Sequence, residues 1–316
     1  MKINSTGGPS PKLELKSVSK CSNVSTKLWE VFRLKKGKIA VQMMTVKSKV
    51  AEIGVYETLK ELSELGYGAV EVSQIPMTSK NVAEIKRASE DFNIEIAALS
   101  APIEAKVGTT NENLTDNFEK IVNDCKTLNS KYLRIGMIPV DILGDKEKIM
   151  KFIDSAENMT NRLSEEGIHF YYHNHHIEFQ KYDGEFLLDL IKNNTTKLGF
   201  EIDVHWVARA GIEPISLMKQ YAGRMALLHL KDFRVGSVDL AGVTDRAGYV
   251  QRVHHNVEFA ELGEGNLDIK AIVDAGLEYG SEYFIIEQDD TYGRDPFESL
   301  DISGKHLRKL GYGDWF

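Results

Sequence analysis

Eight short apolar runs recur along the chain from residue 38 onward, and each has the length and composition of a β-strand. None is longer than eight residues, and they are rich in β-branched or aromatic side chains and bounded by Gly, Asn or charged residues. Such runs are typical of buried strands. The predicted strands are residues 38–45, 68–73, 94–100, 131–138, 168–173, 198–203, 225–230 and 282–288.

Longer amphipathic segments separate these runs, and their apolar residues recur every three or four positions, as they do on one face of a helix. In residues 113–128 that face would carry Leu114, Phe118, Ile121, Val122 and Cys125. The predicted helices are residues 55–66, 79–92, 113–128, 145–167, 183–193, 213–223, 266–280 and 295–311. Five of them close on a glycine, which is the usual residue at a helix C-terminus: Gly66, Gly167, Gly223, Gly280 and Gly311.

Strict alternation of strand and helix predicts parallel strands joined by right-handed crossovers. Eight such units in about 280 residues have the count and length of a TIM (β/α)8 barrel in the α/β class. A doubly wound sheet is the main alternative, but it usually has a glycine-rich first turn, and no GxGxxG follows the first run. We predict one barrel domain over residues 37–316, preceded by a polar extension or arm over residues 1–36.

Polar and ionisable residues stand where the predicted strands end. The C-terminal ends of the strands form the catalytic face of a TIM barrel, so these side chains are predicted to share one mouth. They follow strands two, four, five, six, seven and eight: Glu71, Ser73, Arg134, His173, Asn174, His175, Asp203, His205, Trp206, His229, Lys231, Asp232, Glu287, Gln288 and Asp289.

Three of these residues, Asp203, His229 and Glu287, come from consecutive strands and would face one another across the mouth. One imidazole nitrogen and two carboxylates suit a single divalent ion of the Mn, Zn, Co or Mg type. His173 or Glu178, from the polar stretch that ends strand five, would be the fourth ligand. Taken singly, Asp203 could be a helix N-cap, the HLKD segment a capped loop and the histidine-rich stretch a surface loop. Their coincidence at strand ends favours a metal site.

Composition narrows the class of protein. With 42% hydrophobic and 27% charged residues, the chain is an ordinary globular sequence. The formal net charge of -8 argues against a nucleic-acid partner, because phosphate contacts need clustered Lys and Arg. No apolar run predicts a membrane span, and the first residues lack the apolar segment of a secretory signal. Two cysteines, Cys21 and Cys125, without a CxxC motif indicate a reducing, cytoplasmic setting.

With these ligands assigned, the sequence resembles the xylose isomerase-like superfamily of TIM barrels, and within it the sugar phosphate isomerase/epimerase group. The resemblance extends from about Lys38 to Gly311 and is carried by five motifs: YYHNHHIEF, EIDVHWVARAG, LLHLKDF, LGEGNLDIKAIV and FIIEQDD. It implies one divalent metal held by residues of strands five to eight. In epimerases of this superfamily the strand-five ligand is a glutamate that also transfers protons, whereas His173 stands at that position here. Glu178 is then a substitute acid or base.

The resemblance implies proton abstraction next to the carbonyl of a sugar or cyclitol, through an enediolate. Glu287 is the preferred base, and His175 or Glu178 would return the proton. Lys231 would neutralise the enediolate, or would pair with Asp232 in a structural role. The predicted substrate-binding residues are Trp206, Arg209, Glu71 and His205; for Trp206 core packing, and for Arg209 solvent exposure at a helix end, are the alternatives.

Other functions stay open at this point. Subgroups with histidine on strand five are related to the inosose dehydratases, so a dehydratase acting on a keto-sugar or keto-cyclitol is the second hypothesis. An abasic-site endonuclease and a non-catalytic binding barrel are the third and fourth. The connection over residues 231–265 is long enough to be a lid. A homo-oligomer is also left open, because relatives are often dimers or tetramers.

Overall fold

Eight parallel strands close into a barrel in the computed structural model of this protein, which describes residues 36–105 and 111–316. The strands are β1 (Lys38–Gln42), β2 (Ala69–Val72), β3 (Glu95–Ser100), β4 (Tyr132–Ile135), β5 (His169–His173), β6 (Gly199–Asp203), β7 (Leu227–Leu230) and β8 (Tyr283–Ile286). Strand β1 pairs in parallel with both β2 and β8, which closes the ring. The predicted TIM barrel is confirmed and the doubly wound sheet is excluded. The predicted extension over residues 1–36 and Cys21 lie outside the described residues, except for Lys36.

Helices connect the strands on the outside of the barrel. They are α1 (Lys47–Ile53), α2 (Val55–Glu64), α3 (Ser79–Phe92), α4 (Phe118–Thr127), α5 (Lys146–Glu165), α6 (Leu187–Asn193), α7 (Val204–Arg209), α8 (Pro214–Gln220), α9 (Arg246–His254), α10 (Ile269–Tyr279) and α11 (Pro296–Leu307). Each predicted helix has a counterpart. Gly280 ends α10 with φ 108°, a left-handed conformation that favours glycine, and the other four predicted stop glycines also have positive φ.

Some predicted bounds were wrong, and each error has a local cause. The first predicted strand stops at Gln42, because Met43–Val46 form a 3-10 turn. The Gln42 side chain accepts a hydrogen bond from the Met44 N–H at 2.6 Å and so begins that turn. The helices α1 and α7 were not predicted, since elements of seven and six residues are too short to show a helical period.

The long connection after β7 has regular structure rather than being an open loop. Its ends pair as an antiparallel hairpin, Asp232–Val235 with Val257–Ala260, and α9 lies between them with no buried residue. A second, smaller hairpin, Lys181–Tyr182 with Glu185–Phe186, precedes α6. Whether the connection moves as a lid stays a prediction.

The interior of the barrel changes character along the strands. Near the strand starts it is apolar, with small alanines beside large rings: Ala40, Ala69, Ala97, Ala98, Tyr132, Leu227, Tyr283 and Ile285. Towards the strand ends the buried side chains become ionisable. The main hydrophobic core lies between the strands and the surrounding helices, where Cys125 is also buried. None of the helices in the described ranges is both long and apolar enough to cross a lipid bilayer.

Candidate metal centre

Four buried residues converge at the C-terminal mouth of the barrel: His173 at the end of β5, Asp203 at the end of β6, His229 in β7 and Glu287 just after β8. One ligand atom from each lies within 4.8 Å of the others. The parallel register places Asp203 directly beside His229, which explains how residues distant in sequence meet. The Nδ1 atom of His229 is 2.9 Å from Oε2 of Glu287 and 3.8 Å from Oδ2 of Asp203.

The orientation of two of these side chains is set by their other contacts. His173 directs Nδ1 at the carbonyl oxygen of Gly136, 3.3 Å away, which leaves Nε2 facing Asp203 Oδ2 at 3.5 Å. Asp203 accepts a hydrogen bond from the Trp206 N–H through Oδ1, at 3.1 Å, and so caps α7. Its Oδ2 is left for the cluster. The capping and the ligand interpretations of Asp203 are therefore compatible.

The donor set fits a divalent ion. Nε2 of His173 is buried without a hydrogen-bond partner, and Oδ2 of Asp203 accepts no hydrogen bond either, although the Lys231 ammonium lies 3.3 Å from it. An unsatisfied buried polar atom costs about 1–3 kcal/mol, and a cation between these atoms would remove that cost. Two imidazole nitrogens and two carboxylates suit Mn, Zn or Co, whereas Mg prefers oxygen ligands. The protein therefore has a buried cluster able to hold a metal.

Lys231 lies against the same carboxylates. Its Nζ is 2.7 Å from Glu287 Oε2, 3.3 Å from Asp203 Oδ2 and 2.8 Å from Asp289 Oδ1. Although burial opposes the charge, these carboxylates raise the pKa of Lys231 above its usual value. Asp232, the structural partner considered from the sequence, instead accepts hydrogen bonds from the backbone N–H groups of Phe233 and Leu267. Lys231 is thus a fixed ammonium group within the cluster.

A second ionisable layer lies beneath the cluster, and the sequence analysis missed its centre. Glu201 in β6 is fully buried, with Oε1 3.1 Å from Nε2 of His229 and Oε2 3.1 Å from Nε of Arg134. Arg134 also contacts Glu71, at 2.7 Å. Although burial opposes ionisation of Glu71, the Arg134 guanidinium lowers the pKa of the Glu71 carboxyl group. The pKa of Glu201 is instead raised, by burial and by the neighbouring Glu71 carboxylate. Glu201 stands two residues before Asp203, a spacing that puts both on one side of a strand and was the available signal.

Glu71 and Arg209, which were predicted to bind substrate, occupy other places. Glu71 is buried in the lower layer, and its carboxylate is engaged by Arg134 and faces His229. Arg209 is exposed in the last turn of α7, where a cation is favourable near the carbonyl end of the helix. The structure brings neither residue to the cavity, because Glu71 points below the cluster and Arg209 points to solvent.

Glu178 is also absent from the cluster. Its Oε1 accepts a hydrogen bond from the Tyr172 hydroxyl at 2.7 Å, and its Oε2 accepts one from the His175 N–H at 2.8 Å. Both carboxylate oxygens are therefore engaged, one by a side chain of β5 and one by the loop that follows β5. His173, and not Glu178, is the strand-five residue that the structure brings to the predicted ligands.

The predicted residues His205 and Trp206 lie behind the site in an aromatic group. His205 stacks on Phe259 of the hairpin, with centroids 4.9 Å apart and planes at 30°, and is fully buried. Trp206 lies with its ring 5.3 Å from the Lys231 ammonium. Neither residue lines the cavity. Trp206 is half-buried, and its ring centroid lies 5.5 Å from that of His175, so its predicted role in substrate binding stays a prediction.

A cavity of about 770 Å³ opens onto the cluster. At its inner end are Gln42, His173, His175, Lys231, Glu287 and Asp289, and an apolar wall follows with Met44, Ile75, Leu99 and Leu133. His175 has its ring centroid 4.8 Å from that of His173, and burial lowers the pKa of His175 to about 2, so its ring is neutral. The volume is in the range of sites that enclose small organic molecules.

Comparisons with known proteins agree with the barrel fold. Residues 59–310 match the model of the family described as the xylose isomerase-like TIM barrel. An inosose dehydratase from Bacillus thuringiensis (strain Al Hakam) is 24% identical over 272 residues, covering 78% of this chain and 87% of that enzyme. A sugar phosphate isomerase/epimerase structure from Parabacteroides distasonis has a TM-score of 0.67 and 18% identity, covering 87% of this chain and 99% of that one. The 3-keto-D-glucoside 4-epimerase structure from E. coli has a TM-score of 0.60 and 14% identity, covering 87% of this chain and 100% of that one.

Proposed function

Because this chain belongs to the xylose isomerase-like TIM barrel family, we propose that it is a metal-dependent isomerase or epimerase acting on a sugar or cyclitol. The reaction would begin with removal of a proton from the carbon next to a carbonyl group. The observation that carries the proposal is the convergence of His173, Asp203, His229 and Glu287 at the inner end of a cavity that also exposes Lys231 and His175.

His173, Asp203, His229 and Glu287 would hold the ion. A divalent ion supplies Lewis-acid chemistry, which polarises a carbonyl and stabilises negative charge on oxygen. The four residues come from the ends of β5 to β8, so rigid strands fix their relative positions.

Glu287 is the proposed base. Its Oε1 accepts a hydrogen bond from the Gln42 side-chain amide at 2.8 Å, which holds the carboxylate at the cavity. Although burial opposes its charge, Lys231 and His229 hold the pKa of Glu287 well below its ordinary value, so the group is ionised at neutral pH. The C–H proton would pass to Glu287, and the electron pair would move onto the carbonyl oxygen to give an enediolate. The Lys231 ammonium beside Glu287 would balance that charge.

His175 is the proposed partner that returns the proton. It lines the cavity, and its N–H proton would be given to carbon or to a departing hydroxyl, while the proton held by Glu287 passes through solvent to the imidazole and restores both groups. Return to carbon on the face opposite to Glu287 would complete an epimerisation. Glu178 is not included in this proposal, because its oxygens are engaged by Tyr172 and the His175 backbone.

A dehydratase is the second candidate, supported by two observations. The residue that β5 contributes to the cluster is His173 rather than the glutamate that epimerases of the superfamily are expected to carry, and the curated relatives include inosose dehydratases. The first step would be the same proton removal. A hydroxyl group one carbon further along would then leave as water, protonated by His175 or Lys231.

Elemental analysis of the purified protein, followed by a substrate panel in D2O, tests the proposal. The expected results are about one divalent ion per chain and deuterium uptake next to the carbonyl of at least one ketose or inosose. Deuterium uptake without loss of water supports the isomerase or epimerase, and formation of an unsaturated or deoxy product supports the dehydratase. A protein that binds no divalent ion, or a reloaded protein that exchanges no proton across the panel, would contradict both.

A further inference from the structure

The layer beneath the metal cluster, formed by Glu71, Arg134 and Glu201, lies against the side of the His229 ring that faces away from the other candidate ligands. Nδ1 of His229 faces Glu287 and Asp203, and Nε2 on the other side of the same ring faces Glu201 at 3.1 Å. We propose that Glu201 is a positioning residue, which together with Arg134 and Glu71 holds the His229 ring so that Nδ1 is presented to the metal. This inference rests on the metal site of the proposed function and concerns the affinity of that site for its metal ion.

An imidazole ring can offer a lone pair to a metal at one nitrogen only if the other nitrogen keeps the hydrogen. Two carboxyl groups face Nε2: Glu71 lies at 3.4 Å in hydrogen-bonding geometry, and Oε1 of Glu201 lies nearer, at 3.1 Å, with no other hydrogen-bond partner. These acceptors favour hydrogen on Nε2 and leave Nδ1 as the free lone pair. His229 is fully buried.

Arg134 keeps the two carboxyl groups in place. Its Nε lies 3.1 Å from Glu201 and 2.8 Å from Glu71, and its terminal nitrogen lies 2.7 Å from Glu71. The three residues come from β4, β6 and β2, so the planar guanidinium connects strands across the inside of the barrel. The strand register also links the two layers. Glu201 lies beside His173 in the neighbouring strand, and Glu71 lies beside Gln42. The lower layer and the ligands are therefore built on the same strands.

A second metal ion in the lower layer is the competing explanation, since ligand atoms of Glu71, Glu201 and His229 also lie within 4.8 Å of one another. The contacts of Arg134 argue against it. A guanidinium already touches both carboxyl groups and supplies the positive charge that an ion would bring. We therefore expect one ion per chain, bound on the Nδ1 side of His229.

The test compares two substitutions at one position, with Co2+ as the probe. Glu201→Leu removes the nearest oxygen that faces Nε2 and leaves only Glu71 there, whereas Glu201→Gln keeps an amide oxygen at that position. We expect Glu201→Leu to weaken Co2+ binding about 10- to 100-fold, as is typical when the partner of a ligating histidine is lost. Glu201→Gln should recover most of that loss. Calorimetry gives the affinity and stoichiometry, and the visible absorption of bound Co2+ reports changes in ligand geometry.

Glu157→Gln is the control for a general loss of stability. Glu157 accepts hydrogen bonds from residues 196–198 ahead of β6, and it lies outside the cluster. This variant should unfold more easily than the wild type but bind Co2+ with wild-type affinity and spectrum.

The outcomes separate this inference from the proposed function. A wild-type protein that binds no Co2+ contradicts the proposed function itself. A wild type that binds Co2+, combined with a Glu201→Leu variant of equal affinity and equal spectrum, overturns the positioning role. Two ions per chain would also overturn it. If Glu201→Leu does not fold, Glu201→Asp, whose side chain is one methylene shorter, replaces it: weaker Co2+ binding with an altered spectrum is expected, and wild-type affinity and spectrum would overturn the inference.

Discussion

The ammonium nitrogen of Lys231 lies 2.7 Å from Oε2 of Glu287, the carboxylate proposed as both metal ligand and base. The same ammonium is 3.3 Å from Oδ2 of Asp203. Two of the four predicted ligands are therefore already in contact with one fixed cation. A divalent ion in the cluster must share these oxygens with Lys231, and the two positive charges repel each other.

Replacing Lys231 by Met should strengthen metal binding and weaken catalysis. A single and a double positive charge about 4 Å apart repel by about 8 kcal/mol at an effective dielectric constant of about 20, so the gain in affinity should be at least about tenfold. Turnover should fall about 100- to 1000-fold, because the charge that balances the enediolate is lost. Titration with Mn2+ and steady-state kinetics measure the two effects on the same preparation.

Lys47→Met is the matched control for this prediction. Lys47 also lines the cavity, but it is exposed and its ammonium contacts the Gln74 side chain. Its replacement should leave metal affinity unchanged. If Lys231→Met bound the metal more weakly than the wild type, the ammonium would be shown to support the site rather than compete with the ion.

Glu287→Gln should retain the fold and lose most of the reaction. The amide keeps the shape of the side chain but cannot accept the substrate proton, and general-base catalysis contributes about 100- to 10,000-fold. The measurement is the rate of deuterium uptake from D2O with saturating metal. Glu112→Gln, a carboxylate at the outer part of the cavity that pairs with Lys120, should retain most of the activity. Wild-type exchange by Glu287→Gln would exclude Glu287 as the base.

Glu178→Gln tests whether the buried glutamate after β5 holds the loop or transfers a proton. Since its oxygens accept hydrogen bonds from Tyr172 and from the His175 N–H, we expect a loss of about 1–3 kcal/mol in the free energy of unfolding. Tyr172→Phe, which removes one of the two bonds, should lose part of that stability. Urea unfolding gives these values. A Glu178→Gln variant of wild-type stability with turnover as low as that of Glu287→Gln would show instead that Glu178 is an acid or base.

Glu157 should contribute stability that depends on pH. Although burial opposes its charge, hydrogen bonds from Thr196 and from the backbone N–H groups of residues 196–198 lower the pKa of Glu157. A group with a lowered folded-state pKa stabilises the fold above its unfolded pKa, and this stability is lost as the pH falls through the folded-state value. Glu157→Gln should therefore cost about 1 kcal/mol near pH 7 and much less near pH 3.

Urea unfolding at the two pH values measures this difference. Glu166→Gln, which changes an exposed carboxylate at the end of the same helix, should cost less than about 0.5 kcal/mol at either pH. A cost for Glu157→Gln that is equal at both pH values would contradict the assigned pH dependence.

The architecture was predictable because its signals are local. Each barrel strand is buried on both faces, so it appears in the sequence as a short apolar run. Each helix has one apolar face, so its apolar residues recur every three or four positions. The predicted stop glycines have the positive φ that helix ends require. The errors are in elements too short to show a period, α1 and α7, and in the connection after β7, where paired strands of four residues lie within a mostly polar segment.

The buried cluster at the mouth was predictable for a topological reason. Once the strands are known to be parallel, their C-terminal ends must meet at one mouth, and His173, Asp203, His229 and Glu287 are ionisable residues at those ends. Glu201 was missed because it lies one layer inside the barrel, where an isolated charge in an apolar run is ambiguous. The role of Glu201 depends on its contact with Arg134. Arg134 is distant in sequence and lies beside Glu201 only because of the arrangement of the strands.

The amino-acid sequence by itself determined the number and order of strands and helices and the mouth at which ionisable residues collect. These follow from local burial and turn preferences, which each segment carries in its own pattern. Only the tertiary structure decided what each side chain does there: Glu178 bonds to its own loop, Arg209 faces solvent, Glu71 lies below the ligands, and the hairpin covers His205. Those outcomes depend on register and on rotamers selected by neighbours that are far apart in the chain, and no local pattern records them.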